Sequence, residues 1–403
     1  MRLLCAVLLL LASCTPSAEP SADPFGAFND RGGAERNNDF SASAPEMIVE
    51  LQPESFPSLT GGLRTSPLDL GDGRRILLCS GSPEGDAIIA MTLLDSVLWR
   101  TSLPTGNHPL PGLATDSTGV LYLSTTNCRV WAVGRNGKAL WNRAVGEVTD
   151  GPVIPTPPLA LGEGVIVGTT RGDLVRFDRA GRNIWQIRRG GAFGDRPCGH
   201  PRVGIVGVIT FNDYARRDSL LIVDAATGKE LSSRPLGGRM VAEPILTPRA
   251  VVIGTATIDS GNRRIPQLEA VTHDGRPLWS LRLPLMPRGI SSDAAGALYV
   301  ACAGNAADLS GGAIVAVDTV GHRRWTILLG SGVSAPVAVT AQWIYFVARR
   351  EGRTGLYTYG LNGTFGAFLP IDVLPDVSSA ITMSGFGALV LSGLDAPVLL
   401  TGG

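Results

Sequence analysis

Catalysis would need side chains that can move a proton, attack a carbon or hold a metal, and this chain offers few in usable groups. Its four histidines, His108, His200, His273 and His322, are scattered, with no paired-histidine motif to hold a metal. No nucleophile elbow and no phosphate-binding glycine loop occurs. Asp178, Asp224 and Asp318 recur at one place, shortly before a glycine, where a carboxylate bonds turn amides. The pairs Arg216-Arg217, Arg263-Arg264 and Arg349-Arg350 stand out, but Asp213, Asp218, Asp259 and Glu351 interleave with them and the result is a mixed, solvated set rather than a basic face. Cys79, Cys128, Cys198 and Cys302 leave two readings open: disulfides of an oxidising compartment, or buried thiols behaving as small hydrophobes. Pairing cannot be deduced from spacing. The reading predicts no catalytic, metal-binding or cofactor-binding residue.

The elements that carry these residues follow from a short repeated motif. A glycine stands four residues before Trp141 ("NGKALW"), Trp185 ("GRNIW"), Trp279 ("DGRPLW") and Trp325 ("VGHRRW"), and "LDSVLW" is a degenerate copy ending at Trp99. "TGKELS" and "NGTFGA" keep the glycine but end at Ser232 and Ala367. The copies are 42 to 47 residues apart. Each contains a small-and-proline segment, an apolar strand such as "LYVAC", a variable loop, a strand ending near an acidic residue such as "LLIVD", the glycine turn, and a last strand. Four short strands per repeat of this length make a propeller blade. The composition agrees, with 51 glycines and only 17% charged residues.

Counting first strands gives the blade number. Segments 63–78, 107–123, 150–167, 194–210, 239–253, 287–300 and 332–347 each open a full blade, and 377–393 opens one that ends a strand early. A spare strand, "EMIVELQ" at 46–52, stands at the other end. Open sheet edges invite unwanted pairing, so the spare strand is expected to complete the last blade. The expected fold is all-β: an eight-bladed β-propeller of four-stranded antiparallel blades, closed by an N-terminal strand in the last blade.

"AVDTVGHRRW" and "RFDRAGRNIW" resemble the Ala-x-Asp-x-x-Gly-x-x-x-Trp signature of PQQ-type propeller repeats, and the match recurs over residues 63 to 369. The resemblance implies that Trp99, Trp141, Trp185, Trp279 and Trp325 lodge between adjacent blades as structural wedges. Quinone-dependent dehydrogenases share the fold, with an adjacent cysteine pair, a calcium-binding carboxylate set and a catalytic aspartate. No two cysteines are neighbours here, so the resemblance is taken to the repeat and not to the enzyme.

The N-terminus is read apart from the fold. "MRLLCAVLLLLASC" carries Arg2 and then an apolar run too short to span a bilayer. Its end, Leu11-Ala12-Ser13-Cys14, resembles the bacterial lipobox, which makes 1–13 a signal peptide and Cys14 the lipidated residue. Residues 14–45 are rich in Pro, Ser, Ala, Gly and Asn and read as a disordered tether before a propeller at 46–403. Net charge is zero, so nothing attracts nucleic acid. The expectation is an outer-membrane lipoprotein of the bacterial envelope, facing periplasm or cell surface, that binds other envelope proteins as a scaffold. The alternative is an envelope carbohydrate-binding protein or PQQ-type enzyme using the propeller axis. Long connections at 189–202, 254–266 and 303–312 place the expected partner face over blades three to six, with Phe193, His200, Arg263, Arg264 and Ile265 as its candidates.

Overall fold

The computed structural model describes residues 28–29, 52–54, 62–63, 68–69 and 74–80. It then describes 86–370, apart from 93–95, 117, 146–152, 201–202, 212–216, 305–309, 334–335 and 351–352, and finally 381–383, 389–392 and 397–401. Every regular element among them is a strand. Cys14, the signal segment and most of the expected tether lie outside the described residues.

The strands form eight sheets, five of four strands and three of five, all paired antiparallel. They are the blades of a propeller. The third is representative, with Leu159–Ala160 innermost, then Gly164–Gly168, Asp173–Asp178 and Asn183–Arg188. The fifth runs Arg239–Leu246, Val251–Ile258, Arg264–Val271 and Pro277–Arg282. Second strands such as Leu121–Thr125 and Gly164–Gly168 are buried along their whole length. Both of their faces pack on other side chains, so they read as continuous apolar runs rather than alternating ones. Outer strands show the opposite pattern: Glu230–Pro235 alternates between half-buried and exposed residues.

Gln52–Glu54 pairs with Pro397–Thr401, which continues to Leu389–Ser392 and Ile381–Met383. The N-terminal strand therefore closes the last blade as its outermost strand. The paired residues lie C-terminal to most of the expected 46–52, with Gln52 alone common to both. Pro53 is tolerated because an edge strand leaves one row of amides unused. A second departure concerns the tether, where Phe28–Asn29 pairs with Thr115 and Ala114 on the inner strand of the second blade, Pro109–Thr115.

Two of the expected long loops are largely ladder. Within 254–266, Ala256, Thr257 and Ile258 pair with Pro266, Ile265 and Arg264, so only Asp259–Arg263 turns. Within 189–202, Ala192–Phe193 and Cys198–His200 both pair with Ile205–Phe211 and build the inner strand of the fourth blade. Both segments read as loops in sequence because Gly, Pro and charged residues interrupt their apolar pattern, whereas backbone pairing needs no such pattern. In the third such segment, Ser310 already belongs to the strand Ser310–Val317.

Candidate functional site: blade seams, axis and the two faces

The glycine and tryptophan of the repeat meet across blades. In one copy, Gly181 turns at φ 76°, and its N–H donates to the Asp178 carbonyl at 2.9 Å. A Cβ on Gly181 would collide with the ring of Trp141, from the preceding blade. Trp99 lies in the same way on Gly137, Trp185 on Gly228, Trp279 on Gly321 and Trp325 on Gly363. Where the ring is lost, Ser232 itself stands against Gly275. The turn thus needs glycine twice over, for its left-handed backbone and for the ring that fills the space of a side chain.

Four of the five indoles also reach a carbonyl of the next turn. Trp99 Nε1 donates to Arg135 O at 3.0 Å, Trp141 to Arg179 O at 2.7 Å, Trp185 to Ala225 O at 3.0 Å and Trp325 to Leu361 O at 3.1 Å. Two residues on, Thr101 and Arg143 donate to the carbonyls of Gly137 and Gly181. Trp141 sits between Tyr122 of its own blade and Phe177 of the next, with ring centroids 6.0 and 5.9 Å away. Trp279 differs, since its buried Nε1 meets no acceptor among the described residues. A small cavity beside it is lined by Thr247, Gly296 and Thr319.

The aspartates of these turns are occupied by them. Asp224 accepts from the Thr227 hydroxyl and N–H, bonds that hold its carboxyl below the usual carboxylate range. Asp318 accepts from the amides of Val320 and His322. Two buried carboxylates grip the connection from the fourth blade to the fifth: Glu269, which sequence spacing does not reveal, and Asp218, which is expected in a solvated loop and is buried instead. Glu269 accepts from Gly237 N at 2.8 and 2.9 Å and from Thr255 Oγ1 at 2.6 Å. Asp218 accepts from Arg239 Nη1 at 2.8 Å and Met240 N at 2.7 Å. The Gly237-Gly238 pair was their one visible sign, since neither glycine has room for a side chain.

Inner strands carry the residues nearest the axis. The buried guanidinium of Arg196, in the fourth blade, occupies the space that a side chain on Gly112 of the second blade would need, beside Pro157 of the third. Burial pushes its pKa down to about 10, against the opposing pull of Glu243. Among the described residues no three His, Cys, Asp or Glu side chains group closely enough to hold a metal ion. His108 Nδ1 lies 2.8 Å from Asp86 Oδ2, a contact 22 residues apart in sequence that local spacing does not show.

The expected partner face must be redrawn. Phe193 is no surface anchor: it is 0% exposed and packs with Leu159, Ile166, Val206 and Val208. Its pairing with Thr210 turns it into the core. His200 belongs to the same ladder, opposite Ile205. Arg263 and Arg264 are exposed and Ile265 is half-buried. Arg263 is held by Asp259 at 3.0 Å. The apolar residue that does project there is Ile258, 59% exposed at the base of the turn.

Of the cysteines, Cys128, Cys198 and Cys302 are buried thiols and not disulfides. The side chain of Cys79 lies outside the described set. Burial pushes the Cys302 thiol up to about 12 and raises that of Cys128, which leaves little thiolate to react. Peptide mapping after thiol labelling should find Cys128, Cys198 and Cys302 unmodified in the native protein and modified in denaturant. Native labelling of Cys302 would contradict its placement.

With the seams described, comparison places the chain. A family profile described as outer membrane protein assembly factor BamB matches residues 59–197 and 208–337. The chain belongs to the BamB family of PQQ-like repeat propellers. No curated protein shows significant sequence similarity to it. BamB from Moraxella catarrhalis superposes with a TM-score of 0.56 at 15% identity, covering 88% of this chain and 99% of that one. Quinohemoprotein alcohol dehydrogenase from Comamonas testosteroni gives 0.65 at 13% identity, covering 92% and 79%. The Dos1 propeller gives 0.62 at 13%, covering 87% and 94%. These likenesses concern the fold. Cys128, Cys198 and Cys302 sit on three different blades.

Proposed function

We propose that this chain is a lipid-anchored scaffold of the bacterial cell envelope, held at the outer membrane through Cys14, that binds other envelope proteins during outer-membrane protein assembly. The observation that carries this reading is the family match, which spans most of the propeller and bears the description of an assembly factor. The lipobox-like Leu11-Ala12-Ser13-Cys14 supplies the anchor. The partner surface is the hairpin of the fifth blade, where Ile258, Arg263 and Arg264 project together. An exposed apolar residue flanked by arginines suits a partner that is apolar with an acidic rim.

Two outcomes are expected. Cys14→Ser should leave the membrane fraction, and persistence there after a high-salt wash would overturn the anchor. Ile258→Asp combined with Arg264→Glu should lower the yield of crosslinked envelope partners in a pull-down from solubilised membranes. Wild-type yield of every partner would overturn the hairpin assignment. Any shortening belongs within 259–263, because the flanking residues are paired.

A further inference from the structure

Strand direction sorts the connections of a blade onto two faces. Inner and third strands run one way, so the turns that follow them, including every Gly-Trp turn, share one face. The fifth-blade hairpin and the blade-to-blade connections share the other. Three observations concern the turn face.

Phe28–Asn29 pairs with Thr115 and Ala114, at the end of the inner strand that runs into a turn of this face. It also lies beside Leu159–Ala160 of the next blade. Fourteen residues separate Phe28 from Cys14, a stretch that reaches at most about 50 Å fully extended. As a coil it spans about 20 Å.

The outer strands add an apolar ring. In each of the first seven blades the ladder shifts register just before the tryptophan position. The extra residue is Leu98, Leu140, Ile184, Leu231 and Leu278 in blades one to five, between 46% and 49% exposed. Arg324 and Gly366 take the place in blades six and seven.

Charge completes the picture. Blades two to six each present an exposed cation at or beside this turn, namely Lys138, Arg182, Lys229, Arg276 and Arg324. Two of these cations are paired on their own turns, Arg182 with Asp178 at 2.6 Å and Arg276 with Asp274 at 3.0 Å, while the carboxylates of Asp224 and Asp318 accept from turn amides and stay charged.

We propose that the turn face lies toward the membrane, with its apolar ring and cations against an anionic phospholipid surface, and that the opposite face is presented to partners. Apolar side chains rimmed by cations suit such a surface. The tether docked at the blade edge sets the orientation. This rests on lipid anchoring at Cys14.

The test uses the full-length lipidated protein in vesicles of phosphatidylethanolamine and phosphatidylglycerol. One fluorophore is attached at Ala226→Cys on the turn face or at Ser260→Cys on the other. Quenching by a headgroup-attached nitroxide is read after sedimentation. The faces are separated by at least about 17 Å of strand, so quenching at position 226 should exceed that at 260 by about threefold or more. Leu140→Asp with Ile184→Asp, both exposed, should bring the ratio toward one, and an unchanged ratio would remove the apolar ring from the contact. Equal or reversed quenching in protein that sediments only with Cys14 intact overturns the orientation and leaves the anchor standing. Sedimentation that ignores Cys14→Ser, or fails for the wild type, overturns both.

Discussion

Trp185→Ala should lower the folding free energy by about 3–5 kcal/mol, the range for removing a large buried aromatic ring. Trp185 is buried in a cluster with Leu174, Val208 and Val223, and its indole both covers Gly228 and donates to Ala225 O. Truncation leaves a cavity at the seam and takes from the Ala225 carbonyl one of its two donors, the other being Arg176 Nη1. Urea unfolding should show a lower midpoint, and an unchanged midpoint would mean that the ring does not hold the third and fourth blades together. Ring closure makes the cost cooperative, since one opened seam exposes two blade faces.

Gly228→Ala should be about as damaging, at roughly 2–5 kcal/mol. An L-residue at φ 70° costs about 1–2 kcal/mol. Its methyl would stand 2.7 Å from Trp185 Cδ2, which adds an overpacking cost of about 1–3 kcal/mol. Gly204→Ala separates the two contributions, because Gly204 has the same φ of 70° and nothing within 4 Å of a new Cβ. Only the backbone part should appear there. In the Trp185→Ala background the methyl has room, so Gly228→Ala should again show only about 1–2 kcal/mol. The coupling in the double-mutant cycle is then about 1–3 kcal/mol. A coupling near zero would refute the contact.

The propeller was legible because its information is periodic. Glycine turns and largely apolar second strands repeat every 42 to 47 residues, and each copy is evidence for the next. Closure was legible as arithmetic, one missing strand against one spare. Phe193 was misread because a phenylalanine among Gly, Asp, Arg and Pro looks like a loop residue. Its burial depends on pairing with Thr210, 17 residues away. Glu269 and Arg196 leave no mark in sequence, and Asp218 reads there as a solvated loop residue, for the same reason, since a buried charge is defined by partners on neighbouring strands or blades. Ile258 escaped because an exposed isoleucine in a strand leaves no mark in sequence.

The offset between glycine and tryptophan has a consequence for how such a ring can grow. A repeat such as the second or third carries a plug for the following unit and a socket for the preceding one, so copying it in tandem copies both halves of a seam. An inserted or deleted unit leaves no plug facing the wrong socket, and blade number becomes a matter of curvature rather than of matching surfaces. The fourth blade shows the tolerance of this arrangement, with Ser232 seated on Gly275 in place of a ring. Such a loosely fitted seam is held in register by the plugged joints on either side of it.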